Sequence, residues 1–157
     1  MNLHPQPWTE PVTARQAIGH LETSKQQHAG GRRQELIDAW RKCQPGKWLR
    51  KTVPNVSSFE SIRLDPERPS LAILSGVGGT TTGLVHPWEV RKLTMDEAKA
   101  LASYPKAFEI RGNYNVRWAR IGNSVPPLLM RAIAEHIRRS LRIAGNHPAE
   151  SPRSTTC

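Results

Sequence analysis

Pro126-Pro127 followed by apolar residues at every fourth position, Leu129, Ile133, Ile137 and Leu141, is the pattern that most restricts how this chain can fold. Proline suits the first turn of a helix, and a four-residue recurrence keeps all four side chains on one face. Arg131, Arg138, Arg139 and Arg142 lie off that stripe, so residues 127–143 read as an amphipathic helix whose apolar face must be covered by something. At 157 residues the chain has room for one compact domain with flanking tails. Its 13 prolines and 11 glycines are spread throughout and predict long irregular connections around a small core.

Upstream, residues 1–12 are proline-rich without apolar periodicity and read as an extended lead-in. Thr13 offers a hydroxyl cap to a short helix over about 14–22, with Ala17, Ile18 and Leu21 at helical spacing. A second helix is predicted over about 31–43, where Leu36, Ala39, Trp40 and Cys43 share a face, and it stops at Pro45-Gly46. From Trp48 to His86 turn residues alternate with short apolar pieces, notably 70–74 and 83–85, which predicts a small irregular β region. Thr94 and Glu97 have the spacing of a capping box, in which hydroxyl and carboxylate each satisfy a free amide, and a helix over about 95–103 follows before Pro105. Residues 144–157 form a polar tail predicted to be disordered. The fold class expected is therefore α+β.

Charge narrows the partners. The formal net charge is +10, and the basic excess sits at both ends: residues 1–50 carry 8 basic and 4 acidic side chains, 111–157 carry 8 and 2, and the middle is balanced. Such an excess suits an anionic partner, above all nucleic acid, although a solvated basic surface has the same composition. No apolar run is long enough for a membrane span and no secretory signal is evident, so the expected location is cytoplasmic. The six histidines lack metal-ligand spacing, and Cys43 and Cys157 make no CxxC pair, so no metal centre is expected.

Two segments carry candidate chemistry. Gly76-Val-Gly78-Gly79 follows an apolar piece as a phosphate loop would, but no helix pattern follows it, and it reads as a turn. In Gly122-Asn123-Ser124-Val125-Pro126-Pro127 an amide and a hydroxyl stand before a proline-started helix. They can cap that helix or present polar atoms to a ligand at its positive end.

Read together, Arg91-Lys-Leu93-Thr94-Met-Asp-Glu97-Ala98, then Tyr104-Pro105, Gly112 and Ile121-Gly122-Asn123-Ser124-Val125-Pro126-Pro127, resemble the last two sequence motifs of DNA (cytosine-5) methyltransferases. Pro11 to Leu21 is similar to the family segment that opens the region before target recognition, and Arg63 to Pro69 to the segment leading into the recognition core. His86-Pro87-Trp88-Glu89 and Arg117-Trp118 resemble the phage and prophage branch.

The resemblance implies a carboxyl-terminal part: a lead-in (1–12), a target-recognition region (13–90), the last two motifs with their helix (91–143) and a tail (144–157). The helix would pack on a Rossmann-like catalytic domain that the chain does not contain. Asn123, Ser124 and Val125 would face S-adenosyl-L-methionine, and Arg63, Ala72, Ile73 and Arg91 would contact double-stranded DNA. Ala72 stands where the family normally has Thr. The family's Pro-Cys nucleophile, Glu-Asn-Val triplet and cofactor glycine loop have no counterpart here, so no catalytic residue is assigned and the isolated chain is expected to be inactive. Three roles follow: a subunit completed by a catalytic chain, a decayed or truncated remnant, or a stand-alone basic DNA-binding module, with self-association through the last helix as a further consequence.

Overall fold

The computed structural model describes residues 10–21, 34–52, 61–75 and 83–145. The Gly76–Gly79 turn, the greater part of the lead-in and the tail beyond Gly145 lie outside these residues.

Among the described residues are five α-helices, a short 3-10 turn at Leu49–Lys51 and one small sheet, compatible with the α+β expectation. Helix α1, Ala14–Ile18, starts at a reciprocal capping box: Gln16 N–H donates to the Thr13 hydroxyl while the Gln16 side-chain Oε1 accepts from Thr13 N–H at 2.8 Å. It ends at Gly19, short of the expected 22. Helix α2, Gln34–Lys42, leads into the predicted Pro45-Gly46 stop. Gly46 adopts φ +79°, which glycine tolerates best, and this turns its N–H onto the Arg63 carbonyl at 2.8 Å.

The β region is smaller and placed differently from the sequence reading. Strand β1, Ser61–Arg63, pairs in parallel with β2, Gly83–Val85, in the register Ser61 to Gly83, Ile62 to Leu84 and Arg63 to Val85. The 83–85 piece is thus a strand. The 70–74 piece is not, because it runs instead along a helix that sequence reading did not place.

That helix is α4, Tyr114–Gly122, capped by the Asn113 side chain, which accepts from Val116 N–H. It follows α3, Met95–Leu101, whose capping box forms as its spacing predicts but whose last turn closes at Ala102. One core cluster joins Ile18, Leu64, Leu84, Leu93, Met95, Ala98, Trp118 and Ile121, so α1, the sheet, α3 and α4 bury their apolar faces together. Ala39, Cys43, Leu49 and Val85 form a second, smaller cluster.

Helix α5, Pro127–Gly145, runs two residues past the expected end. No other described element packs along it. Leu129, Ile137 and Leu141 are 50%, 52% and 67% exposed, so most of the predicted stripe faces outward.

Candidate functional site

The geometry of the loop between α4 and α5 excludes one of the two roles its sequence left open, the cap of α5. The first free amide of α5, Leu128 N–H, donates to the Ser103 hydroxyl at 3.1 Å, a cap supplied by a residue 25 positions upstream. Ser124 turns the other way, its hydroxyl donating to the Ile121 carbonyl at 2.7 Å. Neither Asn123 nor Ser124 caps α5. The Asn123 backbone closes α4 through Ala119, leaving its side-chain amide exposed with no hydrogen bond among the described residues. Val125 beside it is exposed as well.

The segment 70–75 meets this loop. Trp118 Nε1–H donates to the Leu74 carbonyl at 3.1 Å. Gly122 lies so close to the same backbone that a Cβ there would stand 2.4 Å from Ser75 N. Ala72 is exposed, whereas Ile73 packs against the first core cluster. The structure therefore brings Ala72 and Ile73 into one assembly with Asn123, Ser124 and Val125. Sequence reading missed the residues that do this, Trp118 and Gly122. The available signal was Tyr114, Trp118 and Ile121 at helical spacing behind an Asn cap.

Arg63 and Arg91 lie elsewhere, on two sides of the His86-Pro87 turn. Arg63 stacks on Trp40 at 3.9 Å, donates twice to the Pro87 carbonyl at 3.0 and 2.9 Å, and donates to the Cys43 carbonyl at 2.8 Å. Burial lowers its pKa, though a guanidinium so placed stays charged. Arg91 grips Glu97 with two bonds of 2.8 and 2.7 Å and Glu89 with a third of 2.8 Å.

Glu97 is buried, and it also accepts from Thr94 N–H at 2.7 Å and lies 3.5 Å from His86 Nε2. His86 Nδ1 accepts the backbone N–H groups of Trp88 and Glu89, which leaves Nε2 to carry the proton toward Glu97. Burial by itself raises a carboxyl pKa, yet the bonds from Arg91, His86 and Thr94 hold Glu97 well below the ordinary range. The same bonds outweigh desolvation at Arg91 and raise its pKa.

No described group is arranged as a nucleophile. The Cys43 thiol is buried, points at the Gln44 and Lys47 carbonyls, and is pushed up in pKa by burial, the opposite of a reactive thiolate. The Tyr114 hydroxyl donates to the Leu93 carbonyl, and burial pushes its pKa up too. A cleft of about 260 Å³ is lined by Lys47, Arg63, Asp65, Arg68 and Leu71, and a shallower depression by Arg15, His20 and Trp88. Asn123 lines neither of them.

C-5 cytosine-specific DNA methylase is the family whose model matches residues 3–139, and the chain belongs to that family. Among individual relatives, the type II methyltransferase M.AplI of Arthrospira platensis is 42% identical over 60 residues, 38% of this chain and 17% of that protein. M.XorII of Xanthomonas oryzae pv. oryzae is 41% identical over 66 residues, 42% of this chain and 16% of that one. The chain spans less than a fifth of the length of these relatives. M.AquIB of Picosynechococcus sp. differs: 31% identity over 112 residues covers 62% of this chain and 75% of the relative, a protein of comparable length. No solved structure matches the chain. No helix of the described residues is long and apolar enough to cross a membrane.

Proposed function

We propose that this chain is the target-recognition and closing part of a DNA (cytosine-5) methyltransferase, acting with a catalytic chain that supplies the cofactor loop, the nucleophilic cysteine and its partner glutamate. The observation that carries this reading is the outward apolar face of α5 next to the uncommitted Asn123 amide. Together they form an edge suited to a second protein surface. Burying the four stripe residues against such a surface is worth about 6–10 kcal/mol before entropic costs. The comparable length of M.AquIB supports a working unit of this size.

In this reading S-adenosyl-L-methionine supplies an electrophilic methyl group when bound, and Asn123, Ser124 and Val125 line its methionine end. The exposure of Asn123 and Val125 and the free Asn123 amide fit that role, while a whole site needs the second chain. Double-stranded DNA is met by the segment that carries Ala72 and Ile73. Arg63 and Arg91 serve it by fixing the His86-Pro87 turn, since their guanidinium groups are already engaged. A cytoplasmic place beside the DNA, in prophage or restriction-modification systems, goes with this role.

The test is co-expression with a chain carrying the Pro-Cys and Glu-Asn-Val motifs, followed by transfer of labelled methyl groups to duplex DNA. Methylation by the mixture and none by either chain alone is the expected result. Methylation by this chain alone would refute the proposal, as would a mixture in which the second chain is equally active without it.

A further inference from the structure

The segment Leu71–Ser75 belongs to no strand, and the side chains of Leu71 and Leu74 are 51% and 64% exposed. It is held in part by Ile73, which packs against the core, and by two contacts on α4: the Trp118 Nε1 bond to the Leu74 carbonyl and the close approach at Gly122. Helix α4 is itself firmly placed. Asn113 caps it, Tyr114 and Trp118 stack at 5.9 Å, and the Tyr114 hydroxyl is bonded to Leu93. At its far end Asn123 and Ser124 are tied to Ala119 and Ile121.

We infer that Gly122 and Trp118 are positioning residues: one contact sets both where Ala72 and Ile73 are presented and where Asn123 points. This rests on the proposed roles of those residues toward DNA and cofactor. A shift of segment 71–75 must move α4 or break from it, so the two surfaces are energetically linked, and linkage acts equally in both directions. Glycine is required at 122 because a Cβ would meet main-chain atoms of residues 74 and 75 that cannot rotate away. Trp118 is required because its ring N–H reaches a main-chain carbonyl that Phe could not bond.

Backbone NMR relaxation on the full chain tests this with Gly122→Ala and Trp118→Phe. In both variants the order parameters of amides 71–75 should fall, because the segment loses a tie to α4. The Asn123 side-chain amide signal should shift, and the amides of β1 and β2 should keep their order. A loss of order spread evenly over 71–75 and both strands would reduce the two residues to ordinary core packing and overturn the inference. An Asn123 signal indifferent to both variants would overturn it equally.

In the enzyme reconstituted with its catalytic chain, Gly122→Ala should raise KM for DNA and KM for S-adenosyl-L-methionine together while kcat is retained; a fall in kcat alone would contradict it. The relaxation measurements need neither DNA nor a second chain. Failure of complementation therefore bears on the proposed function alone, and failure of the relaxation pattern bears on the coupling alone.

Discussion

A carboxylate buried as deeply as Glu97 survives as an ion only because a forked guanidinium, an imidazole and a backbone amide converge on it. Removing the fork by Arg91→Ala should destabilise the chain by about 3–5 kcal/mol in urea denaturation, the usual penalty for stranding a buried charge. The folded-state pKa of Glu97 is depressed, so the stability it contributes is complete above its unfolded value of about 4.3 and drains away as pH falls below it. Urea midpoints of the parent should thus decline below about pH 5, and those of Glu97→Gln should decline less; parallel curves would exclude Glu97 as a source of the acid sensitivity. Arg63 invites a different comparison. Arg63→Lys keeps the charge but loses the stack on Trp40 and the doubled bond to Pro87. We expect lower thermal stability from it, and from Arg63→Gln an unchanged salt dependence of DNA binding as well. A salt slope reduced by about 1 in Arg63→Gln would instead mark Arg63 as a phosphate contact. Sequence spacing identified Glu97 as a cap, but nothing local announces that the same carboxylate also closes a buried ion pair.

At the scale of elements, legibility follows how local the determining forces are. The α1 and α3 starts were readable because Thr13 with Gln16, and Thr94 with Glu97, act within one turn. Helix α4 was not, because it is short, it leaves the apolar Val116 exposed, and Tyr114, Trp118 and Ile121 become a face only when the core is there to receive them. The 70–74 piece shows the reverse case: apolar enough for a strand, it is held instead by the α4 ring and glycine. The start of α5 depends on Ser103, which sits at φ +61° and spends its hydroxyl on Leu128. Ser103→Ala keeps the unfavourable backbone and loses the cap, so thermal unfolding should register a loss of about 1 kcal/mol. Ser103→Gly relieves the backbone while losing the cap. Its global stability should stay closer to that of the parent, yet Leu128 amide exchange should quicken; unchanged exchange would mean the cap contributes nothing.

For the whole molecule, an exposed apolar stripe on a chain of net charge +10 makes two demands that concentration and salt separate. Light scattering should show concentration-dependent association that Leu129→Glu with Ile137→Glu abolishes, and the same pair should prevent complementation by a catalytic chain. A parent that stays monomeric at high concentration and pairs with nothing would remove α5 as a docking helix. Duplex DNA binding by the full chain should be weak and fall steeply between low and moderate salt, because phosphate contacts release counterions. Affinity indifferent to salt would rule out a phosphate-led contact.

The sequence by itself determined the α1 and α3 caps, the Pro45-Gly46 stop, the amphipathic last helix, the charge distribution and the family motifs, since each is written in residues a few positions apart. Only the tertiary structure decided that Ser103 caps α5, that Asn123 is left uncommitted, that Arg63 and Arg91 brace the His86-Pro87 turn, and that segment 71–75 lies on Gly122. Each of these joins groups brought together by burial of a shared core, and contacts between distant positions of a chain leave no periodicity for a sequence to display.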